Sequence, residues 1–416
     1  MRICAIIAEY NPFHNGHAYQ LTAVRQQLCP DAIIVLMSGA YVQRGTPAVL
    51  DPYIRAETAV RCGADLVLEL PVYAATASAA EFAAGAVTIL DRLGAVTDLV
   101  FGVEHAALEG LQEIASLLVD EPACFSRIIK EKVESGLSFP NARMLAVEKS
   151  LGSNTAALLA EPNHILAVEY LKALKKLGSS IRPHAIRRTD KGYHSLEEHN
   201  GCYSATALRQ RWTTQGSPSA MKIGLPKAAA SLLDIAYPLT QTAPLGMRQF
   251  HDLLFDRLVH GDTTKWQTVP DLSVDFANRL ATVSDDWPDY DCLTAALKNK
   301  SLTASRIRRH LLHLLLGINR DEIRRFQACI RKGSLALNVL ALSRTGGAPV
   351  CARIQRKPDI CLLTNPGRQK KGSLPADYLP LYERQLQMNR LYYYMLHKHY
   401  GLPLINELRH GAVILP

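Results

Sequence analysis

The sequence predicts a doubly wound α/β fold, in which helices cover both faces of a parallel sheet, joined to a mainly helical, basic C-terminal region. Three observations support this prediction. In the first hundred residues, apolar runs rich in Val, Ile and Leu alternate with segments of helical periodicity. Within those runs apolar and polar residues do not alternate, as they would in a strand with one solvated face. Beyond the Gly-Ser-Pro segment at 216–218 the strand-like runs fade, and basic helical patterns replace them.

The N-terminal strands are continuous apolar runs bounded by polar residues or proline. We predict them at 2–8, 32–37, 65–71 and 97–103. The helices between them are predicted at 16–28, 51–62 and 77–93. Because each helix returns the chain to the edge where the previous strand began, the strands should pair in parallel.

The segment that follows is predicted to be mainly helical. Its clearest helix is 161–177, where Ile165, Val168 and Leu171 lie at helical spacing. Residues 179–188 are predicted to add the last strand of the sheet.

The C-terminal region is predicted to contain several helices. They include the segment 252–280, a helix that begins near Ser305, and a final helix at 378–399. We expect the helix near Ser305 to expose one polar face, which consists of Arg306, Arg309, His310 and His313. The turn-rich residues 346–371 are interpreted as a small, irregular basic subdomain.

Length and composition limit the class of protein. A chain of 416 residues is long enough for two or more domains, and we divide it into 1–215 and 216–416. With 48% apolar and 20% charged residues, it is typical of a folded protein rather than a disordered one. The longest apolar runs are shorter than the roughly 18 residues that span a bilayer, so we expect a cytoplasmic protein with no membrane segment. Nothing indicates an obligate protein partner.

Nine cysteines are scattered along the chain without a C-x-x-C pair. This spacing is not typical of a zinc site or of a disulfide framework. We expect reduced thiols and predict no dedicated metal site.

Positive charge is concentrated in one stretch. Residues 298–371 hold 17 Lys and Arg against three Asp and Glu, a local net charge of +14, whereas the whole chain carries +9. Such a concentration is typical of a nucleic-acid surface, because each neutralised phosphate releases counterions. A basic face that meets only solvent is the alternative. As candidate nucleic-acid contacts we select Arg308, Arg309, Arg324, Arg325, Lys370 and Lys371.

The strongest candidate site is the motif EYNPFHNGH at 9–17, directly after the first strand and at the start of the first helix. Ligands of such sheets bind beyond the carboxyl ends of the strands, and a helix N-terminus offers N–H groups and partial positive charge to an anion. Gly16 would let the backbone approach a phosphate closely. His14 and His17 would lie together and donate hydrogen bonds to charge that develops in a transition state. Either histidine alone would usually be a packing or capping residue, but the pair with Gly16 favours phosphate chemistry.

A second motif, SATALR, begins at Ser204 and stands at a predicted helix start. The hydroxyls of Ser204 and Thr206 and the guanidinium of Arg209 suit the two outer phosphates of a nucleoside triphosphate. By itself the motif is weak, because Ser and Thr are common helix caps. Together with the histidine motif it supports a triphosphate site.

The loop MSGAYVQRGTPA at 37–48 follows the second strand at the same edge of the sheet. Ser38, Gln43 and Arg44 could hold a carboxylate or an incoming nucleotide there, although a tight loop with an exposed arginine is the alternative. Tyr41 is one aromatic residue that could receive a base drawn out of its stack.

These motifs resemble a known group of enzymes. HNGH and SATALR are similar to the H-I-G-H and S-T-x-I-R pair of the nucleotidyltransferase superfamily, which includes class I aminoacyl-tRNA synthetases. The first 210 residues resemble, more specifically, the bacterial tRNA(Met) cytidine acetate ligase family. The matching stretches are IIAEYNPFHNGH, MSGAYVQRG, DLVLELP, FGVE, EPNHILAVEY and IRR. The C-terminal half matches that family more loosely.

The resemblance implies an HxGH nucleotidyltransferase fold and a reaction in two steps. Acetate attacks the α-phosphate of ATP to give acetyl-adenylate, and the acetyl group then passes to the wobble cytidine of elongator tRNA(Met). Mg²⁺ is expected to bridge the phosphates. The resemblance implies catalytic roles for the two histidines and for Ser204, Thr206 and Arg209. Carried over by position, the ATP site comprises Ile7, Ala8, Glu9, Tyr10, Asn11, Pro12, Phe13, His14, Asn15, Gly16, His17, Ala18, Tyr19, Gln20, Gly102, Asn163, Arg187 and Arg188.

Two other classes of function stay open at this point. A small-molecule adenylyl- or cytidylyltransferase would share the N-terminal chemistry but would not need the basic stretch at 298–371. A catalytically silent RNA-binding protein would need the basic stretch but not the two histidines and SATALR. Acetate as the acid is implied by the resemblance alone.

Overall fold

A computed structural model describes residues 1–105, 107–188, 203–237, 242–283, 287–299, 302–368, 372 and 374–416. The first half of the sheet alternates strands and helices along the chain. Its elements are β1 Ile3–Ala8, α1 Asn15–Leu28, β2 Ala32–Ser38, β3 Tyr41–Val42, β4 Thr46–Pro47, α2 Pro52–Arg61, β5 Leu66–Leu70, α3 Val72–Ala75, α4 Ala79–Leu93 and β6 Asp98–Val103.

The middle of the chain is mainly helical up to the last strand of the N-terminal half. Its elements are α5 Leu108–Asp120, α6 Ala123–Glu134, α7 Phe139–Leu151, α8 Ser153–Ala157, α9 Pro162–Leu177, β7 Arg182–Arg187, α10 Ala205–Gln215 and α11 Lys227–Ala236.

The remaining described helices and strands include the long helix α19 and three more strands. They are α12 His251–Val259, α13 Thr263–Trp266, α14 Val274–Val283, α15 Tyr290–Leu297, α16 Ala304–Leu316, α17 Arg320–Lys332, β8 Leu335–Ser343, α18 Gly347–Ile354, β9 Ile360–Leu363, α19 Leu379–Tyr400 and β10 Val413–Leu415.

The central sheet has the order β10-β8-β5-β2-β1-β6-β7, with β9 also paired to β8. Its pairs are parallel except β5 with β8, which run antiparallel. All seven residues of β2 are buried, so both faces of the sheet are covered. The predicted doubly wound α/β fold is therefore confirmed, and the predicted N-terminal strands match the observed ones to within three residues at each end.

The prediction that strands fade after residue 216 is wrong. β8, β9 and β10 come from the C-terminal half and extend the sheet, and all nine residues of β8 are buried. The sequence of β8, LALNVLALS, is rich in Leu and Ala, which favour helices, so its propensity hid the strand. Pairing with β5, some 270 positions earlier, overrides that preference.

The described part of the segment 346–371, residues 346–368, is likewise not a separate subdomain. Its helix α18 packs against β2, β5 and β8, and its strand β9 pairs with β8. It is therefore part of the sheet layer. The predicted helix at 77–93 is confirmed as α4, which begins at Ala79 because the Ser78 side chain caps it.

The helix near Ser305 is α16, but its polar face differs from the prediction. His310 and His313 are only 2% and 4% exposed, so they lie inside the protein rather than beside solvent. The other predicted helices of the C-terminal region are confirmed as α12 to α14 and α19. No helix in the described part of the chain combines the length and apolar character that crossing a membrane requires.

The centre of the sheet determines where a ligand can bind. From β1 the chain passes to β2 on one side, and it later returns to place β6 on the other. At such a switch point the loops leave in opposite directions, and a crevice opens beyond the carboxyl ends of the two strands.

Candidate functional site

A cleft of about 350 Å³ lies at this switch point. The ends of three strands form its floor, with Ile7 and Ala8 from β1, Phe101 and Gly102 from β6, and Ile186 from β7. The first turn of α1 forms one wall, as the sequence predicted.

Two histidines define the first turn of α1. His14 is the N-cap, and its Nδ1 accepts a hydrogen bond from the Gly16 N–H at 3.1 Å. In return, Nδ1 of His17 accepts from the His14 N–H at 3.2 Å, which completes a reciprocal cap. The two rings stack with centroids 3.7 Å apart. The capping and the stacking together hold both imidazoles in one orientation.

These bonds determine which ring nitrogen carries the proton. Because Nδ1 of each histidine accepts a backbone N–H, a neutral ring must carry its hydrogen on Nε2. Burial, followed by the nearby His14 and Arg188, holds the pKa of His17 well below its usual range. His17 is therefore neutral at pH 7 and can donate through Nε2–H.

Aromatic packing supports the pair from behind. The ring of His17 lies 4.7 Å from that of Tyr10 and 5.5 Å from that of Phe13, and both aromatic residues are buried. Gly16 has a second role that the sequence did not show. A Cβ there would lie 3.0 Å from Cε1 of His14, so the glycine makes room for the histidine ring as well as for a ligand.

The lining of the cleft is strongly positive. Among its described residues are four guanidinium groups and a single carboxylate, namely Arg44, Arg187, Arg188, Arg209 and Glu9. Such a balance suits a polyanion such as a triphosphate. Gly102 contributes space, because a Cβ there would lie 3.3 Å from Cγ of Arg188.

The SATALR motif reaches the cleft mainly through Arg209. Its Nη1 donates to the carbonyl oxygen of Asn11, and its Nη2 donates to Oγ1 of Thr206 at 3.2 Å. Ser204 caps α10, since its Oγ accepts from the Ala207 N–H at 3.1 Å. The structure therefore brings the arginine of the motif to the histidine segment. The hydroxyls of Ser204 and Thr206 lie outside the cleft lining.

The loop after β2 contributes Gln43 and Arg44 to the cleft. The Gln43 N–H donates to Oε1 of Glu9 at 2.8 Å, which ties this loop to the end of β1. Ser38 is fully buried and lies outside the lining. Tyr41 is 1% exposed and its hydroxyl donates to the Met388 carbonyl, so the suggestion that it receives a base is wrong.

The wall opposite the histidines is the start of α9. Asn163 lines the cleft, and its Nδ2 donates to Oε1 of Glu104. His164 is fully buried behind it, with Nε2 3.6 Å from Oε2 of Glu104. The position of the Asn163 amide is thus fixed by a partner at the end of β6.

Arg55, which was not predicted from the sequence, links the loops at the carboxyl ends of β1 and β2. It is 1% exposed, and it donates to the carbonyl oxygens of Glu9 at 2.6 Å, Ser38 at 3.0 Å, Leu50 at 3.0 Å and Gly39. A buried cation needs such partners, and these bonds join the loops after β1 and β2. Nothing in the sequence singled it out, because α2 also carries Glu57 and Arg61.

Most of the predicted site residues meet in this one cleft. From the predicted ATP and substrate positions, the lining includes Ile7, Ala8, Glu9, Tyr10, Asn11, His14, Gly16, His17, Tyr19, Gln20, Gln43, Arg44, Gly102, Asn163, Arg187 and Arg188, together with Arg209. The predicted residues outside the lining are Pro12, Phe13, Asn15, Ala18, Ser38, Ser204 and Thr206.

The basic region adjoins the loop at 43–45. Gly45 has a φ of +75°, and a Cβ there would lie 2.4 Å from the Arg309 backbone nitrogen. Helix α16 therefore packs directly on the loop that lines the cleft. Arg308 and Arg309 are half-buried, whereas Arg324 and Arg325 are exposed on α17. Lys370 and Lys371 lie outside the described residues.

In the described part of the chain, no three His, Cys, Asp or Glu side chains converge as metal ligands would. Glu9 is the one carboxylate among the described residues of the cleft lining.

Comparison with known proteins agrees with this geometry. Residues 1–401 match the family model described as HIGH Nucleotidyl Transferase. The chain is thus a nucleotidyltransferase-fold protein of the HIGH type, which is the class that the sheet and the histidine pair define.

Curated relatives narrow this class. The tRNA(Met) cytidine acetate ligase of Thermoanaerobacter sp. (strain X514) is 36% identical over 372 residues, which cover 89% of this chain and 90% of the relative. The protein of the same name from Thermotoga petrophila is 32% identical over 390 residues, covering 90% and 91%. The chain belongs to the tRNA(Met) cytidine acetate ligase family.

Solved structures show the same architecture. The apo form of Thermotoga maritima TmcAL superposes with a TM-score of 0.89, and its form bound with alpha-thio ATP superposes with a TM-score of 0.85. Both are 29% identical to this chain and match it over 100% of both chains.

Proposed function

We propose that this protein is an ATP-dependent ligase that attaches acetate to the N4 amine of the wobble cytidine in elongator tRNA(Met). An acetate oxygen attacks the α-phosphorus of ATP, the bond to the bridging oxygen breaks, and pyrophosphate leaves. The cytidine amine then attacks the carbonyl carbon of acetyl-adenylate, AMP leaves, and the nitrogen loses a proton. The names of the curated relatives and the alpha-thio ATP bound to TmcAL support this proposal.

The observation that carries the proposal is the stacked histidine pair at the N-terminus of α1, inside a cleft rich in arginine. Imidazoles that donate through Nε2–H, as the neutral ring of His17 can, stabilise negative charge on the α-phosphate oxygens as the pentacoordinate phosphorus forms. In this role they need no proton transfer. Their rigid orientation means that little reorganisation accompanies the reaction.

Different arginines would bind different anionic groups of the substrates. Arg209 is fixed to the Asn11 carbonyl and reaches the cleft from α10, which suits the departing pyrophosphate. Arg44, which lines the cleft next to Gln43 in the loop after β2, is the proposed contact of the acetate carboxylate. Ser204 and Thr206 support this arrangement by capping α10 and by orienting Arg209.

Mg²⁺ fits this cleft as part of the nucleotide. With Glu9 as the one carboxylate of the described lining, the ion would be held through phosphate oxygens and water, with Glu9 available through a water molecule. When bound, it would neutralise charge on the phosphates.

The basic C-terminal half would bind the RNA, so that residues 1–215 perform the activation and residues 216–416 present the acceptor. Helix α16 packs on Gly45 of the loop that lines the cleft, which supports a role for its arginines in holding RNA beside the cleft. Arg308, Arg309, Arg324 and Arg325 are the proposed phosphate contacts, and Lys370 and Lys371 are further candidates. A tRNA substrate places the protein in the cytoplasm.

The experiment uses radiolabelled acetate, ATP and total bacterial tRNA, with each component left out in turn. We expect label in tRNA that requires ATP and acetate but not coenzyme A. Pyrophosphate release with a phosphorylated small molecule and no tRNA would instead support a small-molecule adenylyl- or cytidylyltransferase. Neither result in a folded protein would refute both.

A further inference from the structure

Glu104 follows β6 directly, at the edge of the sheet where the cleft opens. Its Oε1 accepts a hydrogen bond from Nδ2 of Asn163, the second residue of α9, which lines the cleft. The Glu104 side chain is 9% exposed, and Glu104 lies outside the lining. Any effect of Glu104 on a bound ligand must therefore pass through a neighbour that does line the cleft, and Asn163 is such a neighbour.

A buried histidine joins the end of β6 to the start of α9. His164 is fully buried, and its Nδ1 pairs with the Leu158 carbonyl at 3.1 Å, so Nδ1 carries the hydrogen. Its Nε2 accepts from the His105 N–H at 3.3 Å and lies 3.6 Å from Oε2 of Glu104. The residue after Glu104 is thus bonded to the residue after Asn163. This tie holds the carboxylate and the amide side by side.

The bond to Glu104 decides which atom of the Asn163 amide is left for a ligand. A carboxylate oxygen accepts hydrogen bonds, and an amide oxygen has no hydrogen to donate, so the amide nitrogen must face Glu104. Among the described residues Oδ1 of Asn163 has no hydrogen-bond partner, yet it is not one of the buried unpaired atoms, so it is accessible. A ligand therefore meets an acceptor oxygen at this point of the wall.

The wall around Asn163 suits a nucleoside better than a phosphate. Pro162, Ile165 and Leu166 line the cleft beside Asn163, and all three are half-buried, so they offer apolar surface. A base and its ribose need apolar contact over their faces and a few directed hydrogen bonds at their edges. The stacked histidines, which are proposed to bind the α-phosphate, are on the opposite wall. This arrangement leaves the α9 wall for the adenosine of ATP.

We propose that Glu104 is a positioning residue for ATP. It turns the amide oxygen of Asn163 toward the adenosine, where that oxygen accepts a hydrogen bond from the adenine amine or from a ribose hydroxyl. Both groups are donors, so either one matches an amide whose nitrogen is already engaged. Without Glu104 the amide can turn over and present N–H groups, which repel a donor. The inference rests on the proposed function only in taking ATP as the nucleotide.

The first test removes the carboxylate and measures the Kd for ATP by isothermal titration calorimetry. For Glu104→Ala we expect the Kd to rise about tenfold, the effect of one lost hydrogen bond. Glu104→Gln keeps an oxygen that can accept from Nδ2 of Asn163, so its Kd should stay within about threefold of the wild-type value. In pyrophosphate exchange the loss should raise the KM for ATP more than it lowers kcat. A wild-type Kd in folded Glu104→Ala would overturn the inference.

A double-mutant cycle tests whether Glu104 acts through Asn163. Asn163→Ala alone should also raise the Kd for ATP about tenfold. The double variant should bind ATP no more weakly than Asn163→Ala, because Glu104 then has no amide to orient. A purely structural role would instead make the two effects multiply, to about a hundredfold. That outcome would contradict the inference.

The matched control is Glu169→Ala on the same helix. Glu169 is buried and pairs with Lys172 at 2.7 Å and Arg143 at 3.6 Å, but it does not line the cleft. Its loss should lower the melting temperature and leave the Kd for ATP unchanged. A tenfold rise in Kd here would show that any loosening of α9 weakens binding, and would count against a specific role for Glu104.

Nucleotide analogues identify the donor that Asn163 meets. Inosine triphosphate lacks the amine, and 2′-deoxy-ATP and 3′-deoxy-ATP each lack one hydroxyl. The penalty of Asn163→Ala should disappear with the analogue that lacks the donor. An equal penalty with all three would refute the assignment to the adenosine. Calorimetry with ATP needs neither acetate nor tRNA, so wild-type protein that binds ATP but does not acetylate tRNA would refute the proposed function and leave this test intact.

Discussion

Replacing His17 by alanine tests the histidine pair most directly. The side chain has two separable roles in the structure. Its Nδ1 accepts from the His14 N–H at 3.2 Å and so caps α1, and its ring contacts those of Tyr10, Phe13 and His14. Its Nε2–H is the group that would face the α-phosphate. The substitution removes both roles.

The two roles predict effects of different size on different measurements. Losing one donor directed at transition-state charge costs about 2.7–4 kcal/mol, so the rate of adenylate formation should fall about 10²- to 10³-fold. Losing a cap costs about 0.5–2 kcal/mol of the free energy of unfolding. Each lost ring contact costs about 0.5–1.5 kcal/mol more. Activity should therefore nearly disappear, and the melting temperature should fall.

The assay is acetate-dependent exchange of labelled pyrophosphate into ATP, with thermal unfolding measured in parallel. The matched control is Asn319→Ala, which removes the N-cap of α17. Asn319 and Glu322 form the same reciprocal cap there, with bonds of 2.9 and 3.1 Å, outside the cleft. Asn319→Ala should lose only the capping share of that stability, about 0.5–2 kcal/mol, with little change in exchange. If His17→Ala in folded form kept more than a tenth of the wild-type exchange rate, the proposed role of the pair would be wrong.

Three further predictions concern stability. Burial and the neighbouring Glu69 raise the pKa of Glu407 well above its usual value. The folded state therefore holds an extra proton, and the free energy of unfolding declines as pH rises above about 4.5. Glu407→Gln should flatten that decline, by up to about 1.4 kcal/mol per pH unit, in urea titrations from pH 5 to 8. Burial alone would raise the pKa of Asp98, but hydrogen bonds from Arg2 and other donors outweigh it and hold the pKa well below its usual range. Asp98→Asn should therefore destabilise the protein at pH 7 and weaken the loss of stability in acid below about pH 4. Equal destabilisation at pH 7 and pH 2 would contradict this. Gly45→Ala should lower the melting temperature for two reasons. The left-handed φ alone costs about 1–3 kcal/mol for alanine, and the added Cβ would collide with the backbone of α16. An unchanged melting temperature would show that the contact is not as close as described.

The candidate site could be predicted from sequence to the extent that its residues are local. The two histidines and Gly16 lie within four positions at the end of an apolar run, so the strand, the turn and the helix start follow from one short segment. For the same reason, the α/β alternation of the first hundred residues was predicted correctly. SATALR was weaker, because a serine and a threonine at a helix start also serve as caps, and in the structure Ser204 does so.

The parts that sequence missed all depend on partners far along the chain. Arg55 is an ordinary helix residue until the loops after β1 and β2 surround it with carbonyl oxygens. β8 is rich in helix-favouring residues and becomes a strand because β5 offers an open edge. His310 and His313 have helical spacing beside arginines, so the pattern assigned them to solvent, whereas packing of α16 against Phe276 and Thr76 buries them.

The sequence by itself determined the class of sheet, the position of the turn that we propose binds phosphate, and the concentration of positive charge. These properties are carried by neighbouring residues, whose spacing fixes local geometry whatever the rest of the chain does. Only the tertiary structure decided that the C-terminal half completes the sheet, that α16 packs on the loop beside the cleft, and that His310 and His313 are buried. Such features arise from contacts between distant segments, and a one-dimensional pattern does not encode which surfaces will meet.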